Sequence, residues 1–299
     1  MRSFKMLKQT TQFLLISLLF AGLTAAQTAQ KAADSAGYVR IVNGISAADS
    51  NEGRRKAIEA ELKAIGIEYK QEDFTSTTRS GKEVKGTNII ASIPNAKAKR
   101  TVMLGAHYDR VAVGKGAIDN ASGSGAVLEL LRAFKASAPK DIAITAGFWD
   151  QEEVGLVGSR EFVKSRASGG LPAIYINFDV YGTGDTIWLW SVDEKAEFAA
   201  SFAKAAKDAK FGHFVSKDYP PSDHRSFAVP GVESFSFSLG PDGEAKNIIN
   251  VLKGQADPAN MPKALQIIHT QNDTTDQIDA KAVVRSLVIV EAAIRKLDK

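Results

Sequence analysis

From Thr101 onward, short apolar runs alternate with segments of helical periodicity. Thr101 to Ala106, Asp141 to Phe148, Ala173 to Phe178, Ile187 to Trp190 and Val232 to Ser238 have strand length. Between and after them, Gly123 to Phe134, Gly158 to Ser165, Asp193 to Ala209 and Asp279 to Leu297 space their apolar residues as one helix face does. Such alternation predicts an α/β fold: a three-layer αβα sandwich around a mostly parallel mixed sheet. Upstream, Asn51 to Ile65 reads as a helix ended by Gly66. Tyr69 to Thr77 and Glu83 to Ile93 read as strands joined by the turn Arg79-Ser80-Gly81-Lys82. No linker or repeat interrupts residues 27–299, so a single domain is expected there.

The first 26 residues read as a secretory signal peptide. Arg2, Lys5 and Lys8 precede the apolar run Phe13 to Leu23, and Thr24-Ala25-Ala26 offers small residues for cleavage. That run is too short for a spanning helix, which needs about 20 apolar residues. An exported protein, periplasmic or extracellular and free of the membrane after cleavage, is therefore expected. The net charge of the whole chain is +4, but the leader holds three basic residues and no acid, which leaves +1. So neutral a balance gives no support for a nucleic-acid partner. The chain has no cysteine, which excludes disulfides, thiolate ligands and a lipid-modified cysteine. Any metal must sit on His, Asp and Glu.

In open α/β sheets, sites form just beyond the carboxyl ends of the strands. His107-Tyr108-Asp109 follows one strand, Asp150-Gln151-Glu152-Glu153 a second, and Asp179 a third. Asp119 lies between the first strand and its helix, and His269 and Asp273 lie in a late loop. Each has a plainer reading: Asp119 as a helix cap, the two glutamates as a solvated pair, Asp179 as a turn residue. Of the four histidines, His107 and His269 stand beside acids; His213 has no such company and reads as structural; His224 is intermediate.

Taken together, Gly86-Thr87-Asn88-Ile89-Ile90, His107-Tyr108-Asp109, Asp119-Asn120-Ala121-Ser122-Gly123, Glu152 to Ser159, Asn177-Phe178-Asp179, Ser222-Asp223-His224 with Phe227, and Ile268-His269-Thr270 with Asp273 resemble the co-catalytic di-zinc aminopeptidases. Their superfamily also holds glutamate carboxypeptidase and glutaminyl cyclase. The resemblance implies two Zn2+ ions per chain. Asp119 would bridge them, with His107 and Asp179 completing one site and Glu153 and His269 the other. All are donors suited to zinc. It further implies Glu152 as general base, Asp109 as the residue that orients His107, and a cis peptide between Asp119 and Asn120.

The implied substrates are peptides with a free N-terminus, because the substrate amine in this family lies close to the metal carboxylates. His224, Tyr181 and Phe227 are the candidate substrate-binding residues, with Phe235 and Phe237 as further pocket walls and Leu, Met or Phe preferred at the N-terminal position. Two departures stand out. Some relatives have a tyrosine where this chain has Ile268, and the usual Asp before the bridging Asp is Ile118. Carboxypeptidase or dipeptidase action stays open, as does a binding protein on a dead peptidase scaffold, although neither base nor ligand has been lost. A glutaminyl cyclase needs only one zinc, so the full ligand set argues against it.

Overall fold

The central strand β3 (Arg100–His107) decides where everything else goes. It is buried along most of its length and is hydrogen-bonded in parallel to β4 (Ile142–Trp149) on one side and β5 (Ile174–Phe178) on the other. In this computed structural model, which describes residues 34–298 apart from Arg79, the eight-stranded sheet has the order β1-β2-β4-β3-β5-β8-β6-β7. Here β1 is Glu68–Thr77, β2 Glu83–Ile93, β6 Thr186–Trp190, β7 Gly212–Ser216 and β8 Glu233–Gly240. The β1–β2, β2–β4 and β6–β8 pairs are antiparallel, and the remaining pairs are parallel. The chain leaves β3 towards β4 and later returns to β5 on the opposite side. The strand order thus reverses at β3, which places a crevice at its carboxyl end.

Helices cover both faces. On one, α1 (Ser35–Ser46) packs on α2 (Asn51–Ala64), α3 (Ser122–Ala136) and α9 (Ala280–Arg295), and α9 packs on α5 (Glu197–Asp208). On the other, α4 (Val157–Ser165) meets α6 (His224–Ala228). Two further helices, α7 (Glu244–Leu252) and α8 (Lys263–Ile267), lie between β8 and the loop of His269. Ser35–Lys299 forms one compact unit, in agreement with the single αβα domain expected. No helix among the described residues is long and apolar enough to cross a membrane. The signal peptide assigned to residues 1–26 lies outside the described residues, as does Arg79 of the β1–β2 turn.

The predicted elements recur within a few residues. Sequence periodicity missed α1, β7, α6, α7 and α8. In α1 the apolar stripe of Tyr38, Ile41, Val42 and Ile45 is fully buried, but Gly37, Gly44 and several β-branched residues mask its helical propensity. The others are short, and context rather than pattern forms them.

Candidate metal centre

Five separate segments deliver the site. His107 ends β3, Glu152 and Glu153 follow β4, Asp179 follows β5, and His269 stands between α8 and α9. Asp119 is on the tight turn Ala117–Ala121 that feeds α3. The Asp119–Asn120 peptide is cis, as the resemblance implied. The Asn120 side chain staples this turn to β5: Nδ2 donates to Phe178 O at 2.9 Å, and Oδ1 accepts from Gly123 N at 2.9 Å. A Cβ at position 123 would fall 2.4 Å from both of those oxygens, so this approach of turn to strand requires glycine.

The two oxygens of Asp119 face in different directions. Oδ1 lies 3.1 Å from His107 Nε2, which is itself 3.4 Å from Asp179 Oδ1. Oδ2 lies 3.2 Å from His269 Nε2, which is 3.1 Å from Glu153 Oε2. Two clusters result, His107–Asp119–Asp179 and Asp119–Glu153–His269, each with its donor atoms within 4.8 Å of one another. Asp119 belongs to both. The five residues expected as ligands therefore converge at one sheet edge.

Charge and hydrogen bonding point to a cation at each cluster. Glu153 Oε1 and Asp179 Oδ1 are buried with no hydrogen-bond partner among the described residues, a costly arrangement unless something positive meets them. Burial alone would lower the His107 pKa, yet Glu152, Asp109, Asp119 and Asp179 outweigh it and raise it well above the ordinary value. The hydrogen bond to Asp119 leads a similar rise of His269, to about 9. Burial, then the Asp119 charge, pushes Glu153 up to about 7. A set of two imidazoles and three carboxylates suits zinc, which takes His nitrogen and carboxylate oxygen.

Around these residues stands a second tier. Asp109 lies 3.4 Å from His107 Nδ1, on the side away from Asp119. Its oxygens also accept from Glu152 N and Glu153 N. Asp273 accepts from Ile118 N at 2.6 Å and Asp119 N at 3.2 Å, holding the Asp119 backbone. Ile118, which stands where relatives have Asp, is fully buried. Asp223 is fully buried, neither carboxylate oxygen meets a well-aligned hydrogen-bond partner among the described residues, and burial pushes it up to about 7. Burial raises Glu152 well above the usual carboxylate range; His107 opposes this, while Asp223 and Asp179 add to it.

A pocket of about 420 Å³ opens beside both clusters. Its walls include Val180, Trp188, Tyr219, Leu239, Ile248 and Val251. Val180 holds φ 53°, a strained left-handed conformation for a β-branched residue, directly after Asp179. The expected pocket residues lie elsewhere. Phe227 is in the core, stacked on Tyr175 with ring centroids 3.7 Å apart. Phe235 and Phe237 pack on Phe198. Tyr181 is fully buried, donates its hydroxyl proton to Ser286 Oγ at 2.8 Å and does not line the pocket. His224 sits behind the pocket, between Trp190 and Tyr219. His213, read as structural, lines the pocket instead. Alternation along β6 was the available signal: Thr186 and Trp188 face the pocket while Ile187 and Leu189 face the core.

The model of peptidase family M28 matches residues 88–294, which include every residue of both clusters. The chain belongs to peptidase family M28. It is 29% identical over 247 residues to the probable lipoprotein aminopeptidase LpqL of Mycobacterium tuberculosis, covering 74% of this chain and 48% of that one. The chain spans about half or less of the length of the curated relatives it matches. Its fold is similar to that of the zinc aminopeptidase BSAP from Bacillus subtilis (TM-score 0.71, 16% identity, 89% of this chain and 96% of that one). It is equally similar to that of glutaminyl cyclase from Porphyromonas gingivalis (TM-score 0.69, 19% identity, 89% and 98%).

Proposed function

We propose that this M28 chain is a two-zinc aminopeptidase that removes N-terminal residues from peptides in the periplasm or outside the cell. The observation that carries the reading is the pair of donor clusters joined through Asp119. His107 and Asp179 would hold one ion, Glu153 and His269 the other. Zinc bound there supplies Lewis acidity towards the scissile carbonyl and the attacking water. Glu152 stands beside the ligand Glu153 and lines the pocket. Burial pushes the Glu152 carboxyl up and bound cations would push it down, a balance that suits a group taking a proton from water and passing it to the leaving amine. Asp109 keeps Glu152 in place through its backbone N–H.

The acids Asp179, Glu152 and Glu153 in the pocket lining favour a substrate ammonium. The apolar pocket behind them takes the N-terminal side chain. The aminopeptidase names of relatives and the sequence of the leader support the activity and the export respectively. Leucine anilide and its N-acetyl analogue, assayed with and without a chelator, test the reading. The free amine is expected to be cleaved at least tenfold faster in kcat/KM, a difference of ~1.4 kcal/mol, and only without chelator. Equal cleavage of both substrates would move carboxypeptidase or endopeptidase action to the front.

A further inference from the structure

In the sequence, Glu52-Gly53-Arg54-Arg55-Lys56 looks like a solvated helix surface. Arg54 is instead fully buried. Its guanidinium meets backbone carbonyls: Nε donates to Tyr108 O, one terminal nitrogen to Lys115 O at 3.0 Å, and the other to Gly116 O at 2.9 Å. All three carbonyls belong to the loop that joins His107 to Asp119. The same loop is held from another direction, where Lys115 N donates to Asp273 O at 2.8 Å and the Asp273 carboxylate accepts from Ile118 N and Asp119 N. Gly116, at φ 57°, makes the left-handed turn that presents its carbonyl to the arginine.

The charge of Arg54 sharpens the argument. Burial lowers its pKa only to about 10, so it stays cationic at neutral pH. Asp109, Asp119 and Asp273 are among the acids that feel it. A cation so placed weakens the attraction of the centre for metal ions. What the site gains from Arg54 is therefore the planar fork that fastens three carbonyls at once, which a lysine point charge cannot copy.

We propose that Arg54 is a positioning residue for the metal centre: by clamping the 108–116 loop it sets the spacing of His107 and Asp119. This rests on the two-metal reading above. It separates from that reading because failure of the reading shows in the wild type, whereas failure of the clamp shows only in a comparison with variants or in the loop itself.

The test compares wild type with Arg54→Lys, which keeps the charge and loses the fork. Zinc affinity is measured by competition with a chromogenic chelator, and thermal unfolding is followed with and without zinc. Arg54→Lys is expected to bind zinc at least tenfold more weakly and to gain less in Tm from zinc than the wild type does. A folded variant with wild-type zinc affinity and the same Tm loss in both conditions would reduce Arg54 to ordinary scaffolding and overturn the proposal. Should the variant not fold, hydrogen exchange on chelator-treated wild type decides. Protection of the Lys115, Ile118 and Asp119 amides comparable to that of β3 supports the clamp. Fast exchange that only zinc slows overturns it.

Discussion

The carboxylate of Asp109 accepts a hydrogen bond from the backbone N–H of Glu152 at 3.0 Å. Its other oxygen accepts from Glu153 N at 3.2 Å, and the same group lies 3.4 Å from His107 Nδ1. One side chain just beyond β3 thus contacts the imidazole of one cluster and the backbone of the loop that carries Glu153 of the other. Replacing Asp109 by Asn puts an N–H2 group opposite one of the two backbone donors, Glu152 N or Glu153 N. Groups that orient metal ligands in this way are typically worth about 10–100-fold in metal affinity or activity. Asp109→Asn is expected to lose that much in zinc affinity or in kcat/KM; a variant unchanged in both would deny Asp109 this role.

The proposed mechanism gives the neighbours Glu152 and Glu153 different tasks. Glu153 Oε2 is 3.1 Å from His269 Nε2 and belongs to a donor cluster, whereas Glu152 belongs to neither. Glu152→Gln should retain zinc while turnover falls by about 10²–10⁴-fold, the usual worth of a general base. Glu153→Gln should lose zinc. Zinc loss in the first variant and retention in the second would mean the two roles are exchanged.

Val251 lines the pocket and Phe227 does not, which separates specificity from stability. Val251→Trp should fill the cavity and lower kcat/KM for Phe substrates more than for Ala substrates. Phe227→Leu should lower Tm without altering the Phe-to-Ala ratio. Steady-state kinetics on the two anilides, with thermal melts, checks both. An unchanged ratio in Val251→Trp would place the side-chain pocket elsewhere.

His224 gives a pH dependence. Burial, followed by Arg225, lowers its pKa to about 3. In the unfolded chain it titrates near ~6.5. Below that pH the unfolded state takes up a proton that the folded state refuses, so stability falls as pH falls from 6.5 towards 3. At pH 5 the loss amounts to about 2 kcal/mol. Its ring nitrogens have no partner among the described residues, and it packs 4.4 Å from the Trp190 ring, so phenylalanine is a fitting replacement. Urea unfolding at pH 7.5 and 5, in the same metal state, should show a drop smaller by about 2 kcal/mol in His224→Phe. Equal drops would mean that His224 protonates freely in the folded protein.

Of the residues proposed as ligands, His107, Glu153 and Asp179 were legible because each follows an apolar run and Asp119 because it precedes a helix, positions that topology gathers at one edge, whereas His269 was marked by the acids near it in a late loop. The strands were legible for the same reason, since burial on both faces makes them continuous apolar runs. Arg54 was not, because a charged residue on a helix reads as solvent-facing until the loop it binds is in place. The pocket was misjudged for a related reason. An aromatic residue such as Phe227 reads alike in a core and in a pocket wall, and only the packing of Tyr175 against its face decides. The walls of the cavity beside the clusters come largely from α7 and from β8 with the loop that follows it, and α7 was not predicted.

The central claim is that two metal ions share Asp119. Metal analysis of purified protein, loaded with zinc and then dialysed against metal-free buffer, tests it most directly. Two zinc ions per chain are expected in the wild type, with zinc lost when Asp119 is replaced by Asn. One ion or none in the folded wild type would contradict it.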